Sequence, residues 1–173
     1  MGVTSLRVEP LVAGRFAPFG DVIERREGTP QRWINAGTSL RLDGLCDLHG
    51  PDANFAISVV RASVRALPFR LECLERHNLA SQVFLPWSAG RFLVVVAPGA
   101  DAPQIDGIRC FAASGRQGVH YRPGTWHHPL ISLDAIDFLV IDQAAPGGIV
   151  DCDITALVGT ELWIDLPERS DHQ

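Results

Sequence analysis

Short alternating runs of apolar and polar residues, cut by Gly or Pro, fill most of this 173-residue chain. The clearest run is Asn54-Phe55-Ala56-Ile57-Ser58-Val59-Val60-Arg61-Ala62-Ser63-Val64. Strand side chains alternate between faces, so Phe55, Ile57, Val59 and Arg61 share one face. Further strands are predicted near residues 69–77, 81–86, 91–97, 108–113, 118–122, 126–132 and 136–142. Pro68, Pro86, Gly90, Pro98-Gly99, Gly107, Gly115 and Pro123-Gly124 punctuate them. Phe92-Leu93-Val94-Val95-Val96-Ala97 is apolar on both faces and should lie deep in the core. Residues 10–20 predict a short helix or turn feeding a strand at Asp21–Glu24. Residues 25–52, rich in charge and turn formers, predict loop with short strands. Thr155–Leu166 predicts a short helix and an edge segment, with a frayed tail over 167–173. Many short strands between turns predict one all-β domain over residues 1–173, a sandwich or an antiparallel β-barrel.

Composition narrows the function. Apolar residues make up 46 % and charged residues 20 %, enough for a substantial core. Fifteen basic against twenty acidic side chains, with no basic block, argues against nucleic acid as a partner. No apolar run approaches the ~20 residues that cross a bilayer, so no membrane partner is expected. The amino terminus lacks a charged start followed by an apolar core, which predicts a cytoplasmic protein. Cys46, Cys73, Cys110 and Cys152 form no close pair, so they are expected to be reduced thiols rather than a zinc or redox motif.

Candidate chemistry gathers around Gly118-Val119-His120-Tyr121-Arg122-Pro123-Gly124-Thr125-Trp126-His127-His128-Pro129-Leu130. The Pro-Gly turn fixes the backbone ahead of two imidazoles, which can carry protons near neutral pH or bind a metal. Neighbours on a strand face opposite ways, so His127 and His128 serve different faces. In Glu75-Arg76-His77 the same alternation sets Glu75 and His77 on one face. Arg61, at the end of an apolar face, is expected to point inward, paired with a buried acid or receiving a substrate carboxylate. Tyr121, the only tyrosine, is a candidate proton carrier or a structural clasp. Trp126 is a candidate substrate contact, with core packing as the alternative. No Ser-His-Asp or Cys-His nucleophile arrangement is visible along the chain.

Glu75-x-His77, four residues, Gln82, followed later by Gly124-x-x-His127, resembles the paired ligand motifs of the cupin superfamily. Gln82 stands where that pattern has Glu. Leu74-Glu75-Arg76-His77, Ser81-Gln82-Val83-Phe84-Leu85-Pro86, Gln117-Gly118-Val119-x-Tyr121 and Trp126-His127-His128-Pro129-Leu130 together resemble the ureidoglycolate lyase family. Phe16-Ala17-Pro18-Phe19-Gly20-Asp21-Val22-Ile23, Ser58-Val59-Val60-Arg61-Ala62 and Asp137-Phe138-Leu139-Val140-Ile141-Asp142 fit as well, so the resemblance spans roughly residues 8 to 155. His120 departs from it, since the family usually has Asn before this Tyr; a change at the site rim is expected.

The resemblance implies a cupin-like barrel (a jelly roll), commonly a homodimer, that splits (S)-ureidoglycolate into glyoxylate and urea in allantoin breakdown. It also implies a divalent metal, nickel by resemblance. His77 and His127 are then the expected ligands or proton carriers, with Glu75 or Gln82 as possible further ligands. With the His residues as ligands, Glu75 or Tyr121 would move protons, and Gln82 suits the ureido group as both donor and acceptor. The alternatives from the same resemblance are a metal-dependent dioxygenase or isomerase on a small carboxylate, and a cupin that binds a metabolite without turnover.

Overall fold

The computed structural model describes residues 4–51, 54–143 and 151–166. In chain order its strands are Thr4–Leu6 (β1), Val8–Pro10 (β2), Gly20–Ile23 (β3), Gln31–Ile34 (β4), Ser39–Leu42 (β5) and Phe55–Ala62 (β6). Then come Phe69–Arg70 (β7), Cys73–Arg76 (β8), Gln82–Pro86 (β9), Phe92–Ala97 (β10), Arg109–Ala113 (β11) and Gly118–Tyr121 (β12). Trp126–His127 (β13), Ile131–Ser132 (β14), Ile136–Gln143 (β15), Asp153–Ala156 (β16) and Leu162–Ile164 (β17) complete the set. One short helix, Ala13–Phe16 (α1), lies in the 10–20 segment as expected. The 126–132 run is two strands rather than one, because Pro129 has no N–H to donate to a ladder. Thr155–Leu166 holds no described helix; it is strand, turn at Val158–Gly159, and strand. The predicted tail, 167–173, lies outside the described residues.

The strands form stacked layers. A five-stranded sheet runs β3-β12-β9-β15-β6. A seven-stranded sheet runs β16-β8-β13-β10-β11-β2, with β14 also on β10. Between them lie Phe16, Val22, Phe92, Val94, Val96, Phe111, Val119, Tyr121, Phe138 and Val140. The small sheet β1-β17-β7 covers the other side of the seven-stranded sheet, over Leu74, Leu93, Val95, Cys110, Trp126 and Ile164. Strand β10 sits in the middle layer with all six residues buried, so its two apolar faces feed two separate cores. Among the described residues β4 and β5 form a hairpin that joins no other sheet.

The fold is all-β, but the expected closure is absent. The sheets are not closed into a barrel. Among the described residues the five-stranded sheet ends on β6, which pairs only with β15, so its outer edge is open there. Pairing is also not purely antiparallel, since β1 lies parallel to β17 and β2 parallel to β11.

Candidate functional site

Two sheets face each other at one end of the main core, and each supplies part of the site. On the seven-stranded sheet, His127 of β13 lies opposite Glu75 of β8. Glu75 and His77 point the same way, while Arg76 between them turns outward over Trp126, its guanidinium 4.5 Å from the ring centroid. From the five-stranded sheet, Tyr121 of β12 lies opposite Gln82 of β9. The Tyr121 and His127 rings stack, with centroids 4.3 Å apart and planes 11° apart. The His77 and His127 rings are 5.6 Å apart.

Backbone contacts fix both imidazoles. His127 Nδ1 lies 2.9 Å from the Thr125 carbonyl, and His77 Nδ1 contacts the Asp151 carbonyl. A carbonyl only accepts, so each Nδ1 carries the proton and each Nε2 presents its lone pair when the ring is neutral. The turn before β13 is held in the same place, because the Gly124 N–H donates to the His77 carbonyl at 2.6 Å. Gly124 has φ +79°, a conformation that favours glycine. His127 Nε2 then lies 3.5 Å from Glu75 Oε1 and 3.2 Å from Gln82 Oε1. That last contact is a hydrogen bond when His127 is doubly protonated, or when the Gln82 amide is reversed so that its NH₂ donates. His77 Nε2 is buried and has no hydrogen-bond partner among the described residues.

The donor set suits a cation. One ligand atom from each of Glu75, His77 and His127 lies within 4.8 Å of the others. Two imidazole nitrogens and a carboxylate, each imidazole oriented by a carbonyl behind it, are the groups that bind a divalent transition metal. An orphaned buried Nε2 on His77, one of the three, fits the same reading, since unpaired buried polar atoms are rare. Burial pushes the Glu75 carboxyl up, but the His127 hydrogen bond and the charges of His127, His77 and His128 carry it below the usual carboxylate range. Burial, then the Glu75 charge, push the Tyr121 phenol well above its ordinary range, so it stays protonated.

Two expected members lie elsewhere. Arg61 is on the outer face of β6, not the inner one, and its guanidinium grips Asp137 at 2.9 and 3.1 Å. Alternation grouped Arg61 correctly with Ile57 and Val59, but all three are exposed; Ala62 of the other set packs on the core. Trp126 is buried on the side away from His127, within the second core, and its indole N–H donates to the Ala100 carbonyl at 3.2 Å. It does not face the cluster. His128 also points away, edge-on to Phe69 at 5.3 Å. The expected rim position of His120 does not hold either. His120 is 1 % exposed and lies behind the site, on the other face of β12 from Tyr121.

The ureidoglycolate lyase family model matches residues 3–164. A ureidoglycolate lyase of Pseudomonas syringae pv. syringae (strain B728a) is 42% identical over 162 residues, 92% of this chain and 94% of that protein. The chain belongs to the ureidoglycolate lyase family. A second member, from Azotobacter vinelandii (strain DJ / ATCC BAA-1303), is 42% identical over 151 residues, 86% of this chain and 89% of its own. Among solved structures, a dTDP sugar isomerase from Desulfovibrio desulfuricans G20 aligns at TM-score 0.40 and 18% identity, over 73% of this chain and 83% of that one.

Proposed function

We propose that this member of the ureidoglycolate lyase family cleaves ureidoglycolate to glyoxylate and urea, at the cluster of Glu75, His77, His127, Gln82 and Tyr121. The observation that carries the site is the convergence of Glu75, His77 and His127 with an unpaired, buried His77 Nε2. The substrate is a carbinolamine, with hydroxyl, carboxylate and ureido nitrogen on one carbon. Cleavage removes the hydroxyl proton, forms the carbonyl, breaks the C–N bond and returns a proton to the urea nitrogen. Atoms balance without water, oxidant or nucleophile.

The residues divide this work. Glu75, His77 and His127 would hold a divalent metal, which supplies Lewis-acid stabilisation of a developing alkoxide when bound. Glu75 offers one oxygen to that group and, kept ionised, has its other oxygen left to take the hydroxyl proton. Tyr121, kept protonated, donates toward the leaving nitrogen. Gln82 offers an amide that both donates to and accepts from the ureido group. Arg61 takes no part, being tied to Asp137 on the outer surface. The geometry does not select the metal; nickel rests on the family resemblance.

Two further readings belong to this proposal. The protein acts as a homodimer through the open edge of β6, where Ile57 is 70% and Val59 57% exposed beside a cleft of about 520 Å³. An exposed apolar edge strand is a ready surface for pairing. Light scattering that reports a monomer at micromolar concentration overturns this. The compartment is the cytoplasm, which suits the free thiols Cys46, Cys73, Cys110 and Cys152. Among the described residues no helix is long and apolar enough to cross a membrane.

The test of the activity is incubation with fresh ureidoglycolate, assaying urea against ammonia. Urea with glyoxylate supports the lyase. Ammonia with carbon dioxide points to an amidohydrolase and overturns it.

A further inference from the structure

Ser81, His120 and Asp21 form a continuous chain of hydrogen bonds. His120 Nδ1 lies 2.8 Å from Asp21 Oδ2, and His120 Nε2 lies 2.9 Å from Ser81 Oγ. Ser81 Oγ also accepts the His49 backbone N–H at 2.9 Å, and the Ser81 N–H donates to the His49 carbonyl at 2.7 Å. Carboxylate and peptide N–H fix the direction. The His120 Nδ1–H donates to Asp21, the Ser81 hydroxyl donates to His120 Nε2, and the His49 N–H donates to Ser81. Every polar atom is used once only if His120 is neutral. Burial favours that form and lowers the His120 pKa, against the Asp21 hydrogen bond and charge that raise it.

The same types of residue form the triad of serine hydrolases. Here the serine cannot serve as a nucleophile. Ser81 is 1% exposed, and its oxygen already holds the His49 N–H. What the chain can do follows from its place. Ser81 immediately precedes Gln82, and His120 immediately precedes Tyr121. In register, His120 lies opposite Asp21 and Tyr121 opposite Gly20 on one side, and Tyr121 opposite Gln82 on the other. Side chains alternate, so the chain occupies the back of the two strands whose front carries Tyr121 and Gln82. A Cβ at Gly20 would run into the His120 carbonyl, so glycine there lets β3 approach β12 closely.

We infer that Ser81, His120 and Asp21 are positioning residues, a hydrogen-bonded brace that sets Gln82 against His127 across the gap between the two sheets. No described strand pairing joins these two sheets at the site. The 3.2 Å spacing of Gln82 from His127 therefore depends on how the five-stranded sheet is held. The brace also pins His49 to the sheet, which closes the connection returning from the β4–β5 hairpin. The candidate metal-holding trio comes from the other sheet, where backbone carbonyls fix both imidazoles. This inference rests on the lyase reading.

Ser81→Ala is the mild test and His120→Ala the severe one. If Gln82 binds the ureido group equally in ground and transition states, loosening it raises KM and spares kcat. Losing one buried hydrogen bond corresponds to roughly a two- to tenfold rise in KM. Calorimetric titration with Ni²⁺ should give wild-type affinity in both variants. Asp21→Ala should match them, and Asp21→Asn, which keeps an acceptor, should recover most of the lost KM. A fall in active fraction with unchanged KM makes the chain structural only and overturns the inference. So does loss of kcat in Asp21→Asn, which would make the carboxylate a proton relay, or a fluorophosphonate adduct on Ser81. Wild-type protein that releases no urea instead sinks the lyase reading. The brace then stands or falls on a ¹⁵N spectrum of His120: a neutral Nδ1–H tautomer at pH 7 supports it, and an imidazolium overturns it.

Discussion

Tyr121 lies flat on His127, although the two side chains come from different sheets. The stack closes one side of the imidazole, while Gln82 and Glu75 meet its Nε2. A proton carrier or ligand held this way reaches its working geometry before substrate arrives, which is where much of catalytic rate enhancement originates.

Tyr121→Phe separates the ring from the hydroxyl. The stack survives, so the melting temperature should stay within a few degrees of wild type. The phenol is held protonated by burial and by the Glu75 charge. Loss of that donor should lower kcat by roughly 10²-fold, within the usual range for general acid catalysis. Steady-state kinetics on the folded variant decide it. An unchanged kcat reduces Tyr121 to a packing ring.

Arg61→Ala should leave both kcat and KM as they are. Its guanidinium is exposed and bound to Asp137 across the β6–β15 ladder. A tenfold rise in KM would mean that the outer face of β6 takes part in substrate binding, against the structure.

Arg61 also marks how far the sequence could be read. Period-two alternation says which residues share a face, not which face points inward. At β6 the larger apolar residues, Ile57 and Val59, lie on the exposed side, so hydrophobicity chose the wrong face. Trp126 was readable from the same rule, because the immediate neighbour of His127 on a strand must turn away from it. The pairing of Glu75 with His77 and the split of His127 from His128 were legible because both depend on local spacing. The Ser81–His120–Asp21 chain was not. It joins residues 39 and 99 positions apart, and only the strand register brings them together. Closure into a barrel was equally invisible, since it depends on which strand ends each sheet.

Stability should fall with pH below about 6.5, the ordinary His value. Burial is the main reason that folded His120 takes a proton less readily; Arg122 and His49 act the same way, while Asp21 opposes them. The unfolded chain therefore binds more protons once pH drops below the unfolded value. The full contribution is present above that value and declines until the folded ring titrates too. Urea midpoints between pH 7.5 and 5.5 should decrease, and decrease less in His120→Asn. Carboxylates held low by arginine, such as Glu9 beside Arg109, lose their contribution only at more acidic pH. A midpoint constant across the window would contradict the burial argument.

The adjacent histidines give the sharpest contrast. His127 is 1% exposed, lies between the two sheets and presents Nε2 to Glu75 and Gln82. His128 faces the other core, with Nδ1 2.6 Å from the Pro129 carbonyl and its ring edge-on to Phe69. His127→Gln keeps a polar side chain of similar size and should preserve the fold by circular dichroism. It should lower urea release by roughly 10²-fold or more and weaken Ni²⁺ binding, because it removes a ligand or proton carrier. His128→Ala should keep kcat, KM and Ni²⁺ affinity while destabilising the protein by about 1–3 kcal/mol, the usual cost of truncating a packed side chain. The measurement is steady-state kinetics beside denaturant titration on both purified variants. If His128→Ala loses turnover and His127→Gln keeps it, the strand register that builds this site is wrong by one residue.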